Sequence, residues 1–187
     1  MTDILPIETD RLIIRAFRES DAAAFHGWRN DAEVARYTLW DFPYPMERAV
    51  ALAARMAAMV PFEEGQSYQM IIEEKATGTA VGQIGIGNGK PERGTVRVSY
   101  SLCGAAQGKG YMTEALRALL PALITPLGVQ MFSTDIDARN PASGRVLERL
   151  GFKAGPLHKK RTLVRGEWCD EIDYDVSAEA LLAHLSK

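Results

Sequence analysis

The sequence is poor in the residues that staple chains together or ligate metals. Its two cysteines, Cys103 and Cys169, are too few and too scattered for a disulfide framework or a zinc site. Its three histidines, His26, His158 and His184, show no ligand spacing, so no metal is expected. There is no surplus of positive charge either. The formal net charge is −2, which argues against nucleic acid as a partner, because such binders usually carry a basic excess. One basic run, Lys159-Lys160-Arg161, reads as a solvated strand face or as a rim attracting an acidic ligand. Long apolar runs are missing: the most apolar region, residues 115–132, is broken by Arg117, Pro121 and Pro126, so no membrane span is expected. The first eight residues carry acids where a signal peptide would be basic. A cytoplasmic location with reduced thiols is the expectation. No repeat, linker or low-complexity segment interrupts the chain, and residues 1–187 are read as one domain. That length buries roughly 70% of its extended surface without staples.

What the sequence does have is glycine in telling places. Gln107-Gly108-Lys109-Gly110-Tyr111-Met112-Thr113-Glu114 follows a strand-like run at 96–102 and opens a helix-like run from Ala115. A glycine loop between a strand and a helix start lets backbone approach a ligand, and the free N–H groups of the first turn point at an anion along the helix dipole. Each such bond to a charged oxygen is worth roughly 1.5–3 kcal/mol. Two nucleotide motifs fail on spacing. A P-loop needs four residues between its glycine and the Gly-Lys pair, whereas Gly104 and Gly108 enclose three, and Gly110 rather than Ser or Thr follows the lysine. The cluster Gly82, Gly85, Gly87 and Gly89 lacks the third glycine of a dinucleotide fingerprint, Lys90 standing there. With Pro91-Glu92-Arg93-Gly94 behind it, the cluster reads as a hairpin.

Residues 11–15 read as the first strand, and Ser20 as the cap of a helix carrying Phe25 and Trp28. A helical turn at 33–36 leads into an aromatic and proline-rich loop at 37–45, with Pro45 as the first residue of a helix ending near Val60. Strands are expected at 67–73, 80–87 and 95–102, then a helix from Tyr111 kinked or cut at Pro121, and a strand at 130–137. Asn140 caps a helix that Pro141 begins and Gly151 ends, with Val146, Leu147 and Leu150 as its buried stripe. Runs at 157–164 and 170–176 form a hairpin around Arg165-Gly166-Glu167, before a short C-terminal helix. The fold class is therefore α/β (α+β), with a mostly antiparallel sheet.

An ordered set of short motifs resembles the GCN5-related N-acetyltransferase (GNAT) superfamily, in particular its ribosomal-protein N-terminal acetyltransferase branch. The motifs are Thr9-Asp10-Arg11-Leu12, Trp28-Arg29-Asn30-Asp31 with Glu33-Val34, Gly82-Gln83-Ile84-Gly85, Gly108-Lys109-Gly110-Tyr111 with Thr113-Glu114-Ala115, Asn140 with Ser143, and Leu150-Gly151-Phe152. Each alone is weak, but the order covers nearly the whole chain. The resemblance implies a GNAT-like domain whose mixed, mostly antiparallel central sheet is flanked by helices, with acetyl-CoA as acetyl donor and an amine as acceptor. It implies that the backbone of Leu102 and Cys103 pairs with the pantetheine arm. It also implies that Gln107, Gly108, Lys109, Gly110, Tyr111, Met112 and Thr113 seat the pyrophosphate, and that Asn140 contacts the cofactor arm or the substrate. Met112 stands where the family prefers a small residue, so altered packing is expected there, with its N–H still available.

Acetyl transfer needs a free amine and a proton for the departing thiolate, and a positioned acid or base is typically worth 10²–10⁴-fold. The tyrosine acid of many relatives is replaced here by Leu147, and the branch's serine is matched by Ser143, near a positive helix end. Ser143 reads as the catalytic acid or, alternatively, as a residue that satisfies an orphan helix amide. Where the branch has a glutamate base, Lys160 or Arg161 stands, and Asp135, Asp137, Glu92 and Glu171 are carboxylates among which spacing does not choose. Deprotonating an α-amine at pH 7 costs about 1 kcal/mol, against about 4.6 for a lysine. A site without an evident base thus suits a protein or peptide N-terminus. A small amine (amino sugar, antibiotic or polyamine) is the alternative, and a non-catalytic acetyl-CoA-binding module a third reading. Trp40, Phe42 and Tyr44 are expected to line the acceptor pocket, or to be core. A monomer and a homodimer both stay open.

Overall fold

Alternation of buried side chains builds the sheet. In the computed structural model, which describes residues 4–63, 65–90 and 94–187, the strands are β1 (Ile7–Glu8), β2 (Leu12–Ala16), β3 (Tyr68–Glu74), β4 (Thr79–Lys90), β5 (Thr95–Leu102), β6 (Met131–Asp137), β7 (Lys153–Val164) and β8 (Glu167–Ser177). They form one eight-stranded sheet in the order β1-β2-β3-β4-β5-β6-β8-β7. All neighbours are antiparallel except β5 and β6. The hairpin expected of the glycine cluster is the β4–β5 pair, although residues 91–93 of its turn, Glu92 among them, lie outside the described residues.

Six α-helices accompany the sheet among the described residues: α1 (Ala22–Arg29), α2 (Ala32–Ala35), α3 (Met46–Ala58), α4 (Tyr111–Leu127), α5 (Pro141–Glu148) and α6 (Ala178–Leu185). Strand β3 separates two cores by its period of two. Tyr68, Met70 and Ile72 join the main cluster with α4, whereas Ile71 joins Phe25, Trp28, Ala53 and Met56 of α1 and α3. Gly82 keeps β4 close to the end of β5, for a Cβ there would lie 2.5 Å from the Ser101 carbonyl oxygen.

Three local expectations change. Ser20 lies inside a 3₁₀ turn, Glu19–Asp21, that precedes α1 and caps nothing; the Asp21 carboxylate instead accepts from the Arg18 N–H at 2.7 Å. Pro45 is the extended N-cap of α3, one position before the helix, and α3 ends at Ala58 rather than near Val60. Helix α4 runs on through Pro121 and Pro126. An internal proline costs about 3 kcal/mol, but Leu116, Leu119, Leu120 and Leu123 are all fully buried along α4, each worth roughly 1.5–3 kcal/mol. Packing outweighs the missing hydrogen bonds.

Candidate functional site

The parallel strands β5 and β6 pair only over Thr95–Arg97 and Met131–Ser133. Beyond that point they diverge, leaving one edge of β5 without a strand partner, and a cleft of about 920 Å³ opens along the gap. Tyr100, Leu102, Gln107, Asn140 and Ser143 all line it.

At one end lies the glycine loop. Gly108 and Gly110 have φ of 74° and 79°, a left-handed conformation that glycine adopts without strain. Gly110 is the N-cap of α4, and its carbonyl accepts from Glu114 N–H at 3.0 Å. The amides of Tyr111, Met112 and Thr113 precede the first intrahelical bond and have no partner within the helix. The loop is tied down from far along the chain. The Glu114 carboxylate accepts from Thr9 Oγ1 at 2.6 Å and from Arg11 Nε at 2.7 Å, and Arg11 Nη1 donates to the Lys109 carbonyl at 3.0 Å. Met112 is buried with the main core and also borders the cleft. Thr113 lines the cleft with a buried hydroxyl that has no hydrogen-bond partner. An orphan hydroxyl beside free helix-start amides fits a phosphate ligand. Gln107 and Leu102 meet here as well, Gln107 Nε2 donating to the Leu102 carbonyl at 3.2 Å. Cys103 and Lys109 are not brought to the cleft wall. Both backbone groups of Cys103 are already paired, its N–H to Val81 at 2.8 Å and its carbonyl to the Ala106 N–H at 3.0 Å.

Midway along the cleft, Asn140 caps α5, its Oδ1 accepting from the Ser143 N–H at 3.2 Å. The N–H of Ser143 itself is thus served by Asn140. The Ser143 hydroxyl instead meets Tyr100, Oγ to phenolic oxygen 2.8 Å, and the phenol also reaches the Ser143 carbonyl at 3.3 Å. Burial drives the Tyr100 phenol well above its ordinary pKa, against a smaller opposite pull from Ser143; the phenol therefore keeps its proton. Tyr100 was missed in the sequence, although the alternation of β5 places it on the face of the buried Val96 and Val98.

The cleft carboxylates are engaged. Asp135 is paired with Arg97, and Asp137 with Arg139 at 2.8 Å. Glu171, directly opposite Asp137 in the β6–β8 register, lies 3.5 Å from Arg161. Burial pushes Asp137 up, but its bonds from Arg139 outweigh this and hold it below the ordinary carboxylate range. The expected base position carries no carboxylate: Lys160 is exposed and Arg161 points at Asp173 and Glu171.

The three aromatic residues of the expected acceptor pocket part company. Trp40 lines the cleft, its Nε1 donating to the Arg29 carbonyl at 3.2 Å. Phe42 is exposed beneath the Arg165 guanidinium. Tyr44 takes the core alternative: it is 4% exposed and packs edge-on against Phe25 in the second core. The cleft also has polar lining residues from the sheet. Gln69 on β3, Gln83 on β4 and Ser99 and Ser101 on β5 share one sheet face by register. The amide oxygens of Gln69 and Gln83 are buried there without partners. Among the described residues, no helix is long and apolar enough to cross a membrane.

A model of the family described as "Acetyltransferase (GNAT) domain" matches residues 11–153. The chain is 26% identical over 154 residues to the uncharacterized N-acetyltransferase YoaA of Bacillus subtilis, covering 82% of this chain and 86% of the relative. Among solved structures, a GNAT-family acetyltransferase from Bacillus anthracis superposes with a TM-score of 0.82 at 23% identity, over 94% of this chain and 99% of that one. The ribosomal L7/L12 α-N-protein acetyltransferase RimL, solved in complex with coenzyme A, gives 0.79 at 21% identity, over 92% and 97%.

Proposed function

The chain belongs to the GNAT family of N-acetyltransferases, and on that premise we propose that it transfers acetyl from acetyl-CoA to the α-amine of a protein or peptide N-terminus. The observation that carries this reading is the Ser143–Tyr100 pair facing a cleft whose carboxylates are held by arginines.

Enzymes of this family use acetyl-CoA, which when bound supplies an acetyl group activated as a thioester. The free N–H groups of Tyr111, Met112 and Thr113, the Thr113 hydroxyl and the open backbone at Gly108 are suited to hold its pyrophosphate, with the unpaired edge of β5 near Leu102 available to the arm. Tyr100, kept protonated by burial, shares a 2.8 Å hydrogen bond with Ser143 Oγ in which either oxygen can donate; with the phenol as donor, the serine hydrogen is free to turn into the cleft. Ser143 in turn can offer a hydrogen bond to the leaving sulfur near the positive end of α5, while the proton shed by the attacking amine passes through solvent and ends on the departing thiol. Asn140 keeps Ser143 in place through the helix cap. Asp137, held below the ordinary carboxylate range by Arg139, is a poor acceptor for an amine proton, and Asp135 and Glu171 are each paired with an arginine. The acceptor must therefore lose its proton cheaply, which favours an α-amine over a lysine by about 3.5 kcal/mol at pH 7. The fold-level likeness to RimL, whose name specifies a protein α-amine, is consistent with this.

A panel of N-terminal peptides and small amines, assayed for release of free CoA thiol, tests the proposal. Turnover of unblocked peptides, abolished by N-terminal blocking, is expected. Robust turnover confined to amino sugars or polyamines would replace it with the small-amine reading.

A further inference from the structure

Arg29, the last residue of α1, is a buried cation that has no counter-ion among the described residues. Only 7% of it is exposed. Its guanidinium sits over three rings, Phe25 at 4.3 Å, Trp40 at 4.4 Å and Tyr44 at 4.6 Å. Aromatic faces ease the burial of such a group, but they do not neutralise it. Among the described residues, no carboxylate lies within ion-pair distance of it, and its Nε has no hydrogen-bond partner. The acids nearest in sequence are committed elsewhere. Asp31 caps α2, Glu33 pairs with Arg36 at 3.7 Å, and Asp41 pairs with Arg48. A second guanidinium, that of Arg48, lies 5.3 Å from the Tyr44 ring and adds to the positive potential. Burial first, with repulsion from Arg48 and against the influence of Tyr44, lowers the Arg29 pKa to about 10, so the group is still charged at neutral pH.

This lone charge lines the cleft, and Gln69 and Gln83 line it too, offering unpartnered amide oxygens. A wall with one unpaired planar cation and two free acceptors complements a molecule that carries both an anion and an amine. We propose that Arg29 anchors a carboxylate of the acceptor while Gln69 and Gln83 accept from its amine, so that the preferred substrates are acidic amines. The carboxylate comes from an Asp or Glu side chain at the start of a peptide or from a free amino acid; both present the same fork-shaped partner to the guanidinium. This inference rests on the acetyltransferase reading above and narrows its acceptor.

The test uses the full chain with saturating acetyl-CoA and three sets of amines. These are C-terminally amidated peptides with Asp or Glu at position one or two, the same peptides with Asn or Gln there, and free Asp and Glu. At least tenfold higher kcat/KM for the carboxylate over its amide isostere is expected, and the free amino acids show whether a peptide is needed. In Arg29→Lys, which keeps the charge but loses the fork, the kcat/KM ratio of acidic over neutral acceptors should fall at least tenfold, mainly through a raised KM for the acidic ones. Acidic and neutral peptides turned over within twofold of each other would overturn the inference and leave the acetyltransferase reading intact. Turnover of polyamines alone would overturn both.

Discussion

Replacing Ser143 by alanine separates catalysis from scaffolding because the structure bounds the structural loss. The helix cap survives, since Asn140 bonds the backbone N–H of residue 143 and not its side chain. What disappears is one hydroxyl contact, Oγ to the Tyr100 phenol at 2.8 Å. The phenol retains the residue 143 carbonyl at 3.3 Å. A hydrogen bond of this kind contributes about 0.5–1.5 kcal/mol, and a chain of this size loses roughly 2–4 °C of Tm per kcal/mol. A drop of a few degrees is therefore the whole expected structural effect. The loss of a positioned acid is larger, about 10²–10⁴-fold in kcat, or about 3–5.5 kcal/mol. Tyr100→Phe keeps the ring and removes only the orienting donor, and should lower kcat about tenfold. If the two hydroxyls act as a unit, the double variant should be no slower than Ser143→Ala alone, because nothing remains for Tyr100 to orient. Steady-state kinetics on a peptide acceptor, alongside thermal melts, reads both quantities. A Ser143→Ala enzyme with kcat within threefold of the parent and a lowered Tm would refute the reasoning and reduce the serine to packing.

Thr113→Val removes a buried hydroxyl that has no partner; the protein without ligand should be as stable or up to about 1 kcal/mol more stable, while coenzyme A binding by calorimetry weakens about tenfold. Arg15, buried between Asp21 (2.8 Å) and Glu73 (2.6 Å), should cost about 3–5 kcal/mol on change to Met, seen as a shifted urea midpoint with an unchanged slope. Burial raises the Glu114 pKa, but bonds from Thr9 and Arg11 outweigh this and its pKa in the folded protein is lowered. Its contribution is thus present above the unfolded value of about 4.3 and is lost as pH falls through the folded value. Glu114→Gln should flatten the fall of Tm over that acid window and leave the neighbouring carboxylates' contributions in place.

Much of the sheet was legible because alternation and turn residues are local signals. Residues 95–102 were read as the strand later seen at Thr95–Leu102, and the helix start at Tyr111 follows from Gly110. The misreadings share one cause, competition from packing. Two prolines fail to cut α4 because four buried leucines hold it. Trp40, Phe42 and Tyr44 look alike in sequence, but the second core took Tyr44, Arg165 covered Phe42, and Trp40 alone reached the cleft. Tyr100 was hidden for the complementary reason. By period it belongs with core valines, and only the divergence of β5 from β6 exposes it to α5. Arg29 was visible inside a motif, but the sequence could not show that its neighbouring acids are occupied.

The acceptor question turns on how charge is distributed in the cleft. On the β6 and β8 side, acids are matched by arginines: Asp135 by Arg97, Asp137 by Arg139, Glu171 by Arg161. On the α1 side the balance fails among the described residues, and Arg29 meets rings there instead of an acid. Matched pairs are self-sufficient and do not call for a ligand charge, whereas an unmatched buried cation gains when an anion arrives. Absence of a free base and presence of a free cation thus constrain the same substrate from opposite ends. The first requires an amine of low pKa, because the site does little to remove its proton. The second favours a carboxylate on that molecule. A carboxylate also raises the pKa of a nearby amine by favouring its charged form, which would work against transfer unless Arg29 neutralises it. Pairing the anion with the guanidinium would remove that penalty as the acceptor binds, so recognition of the carboxylate would also lower the cost of losing the amine proton to solvent.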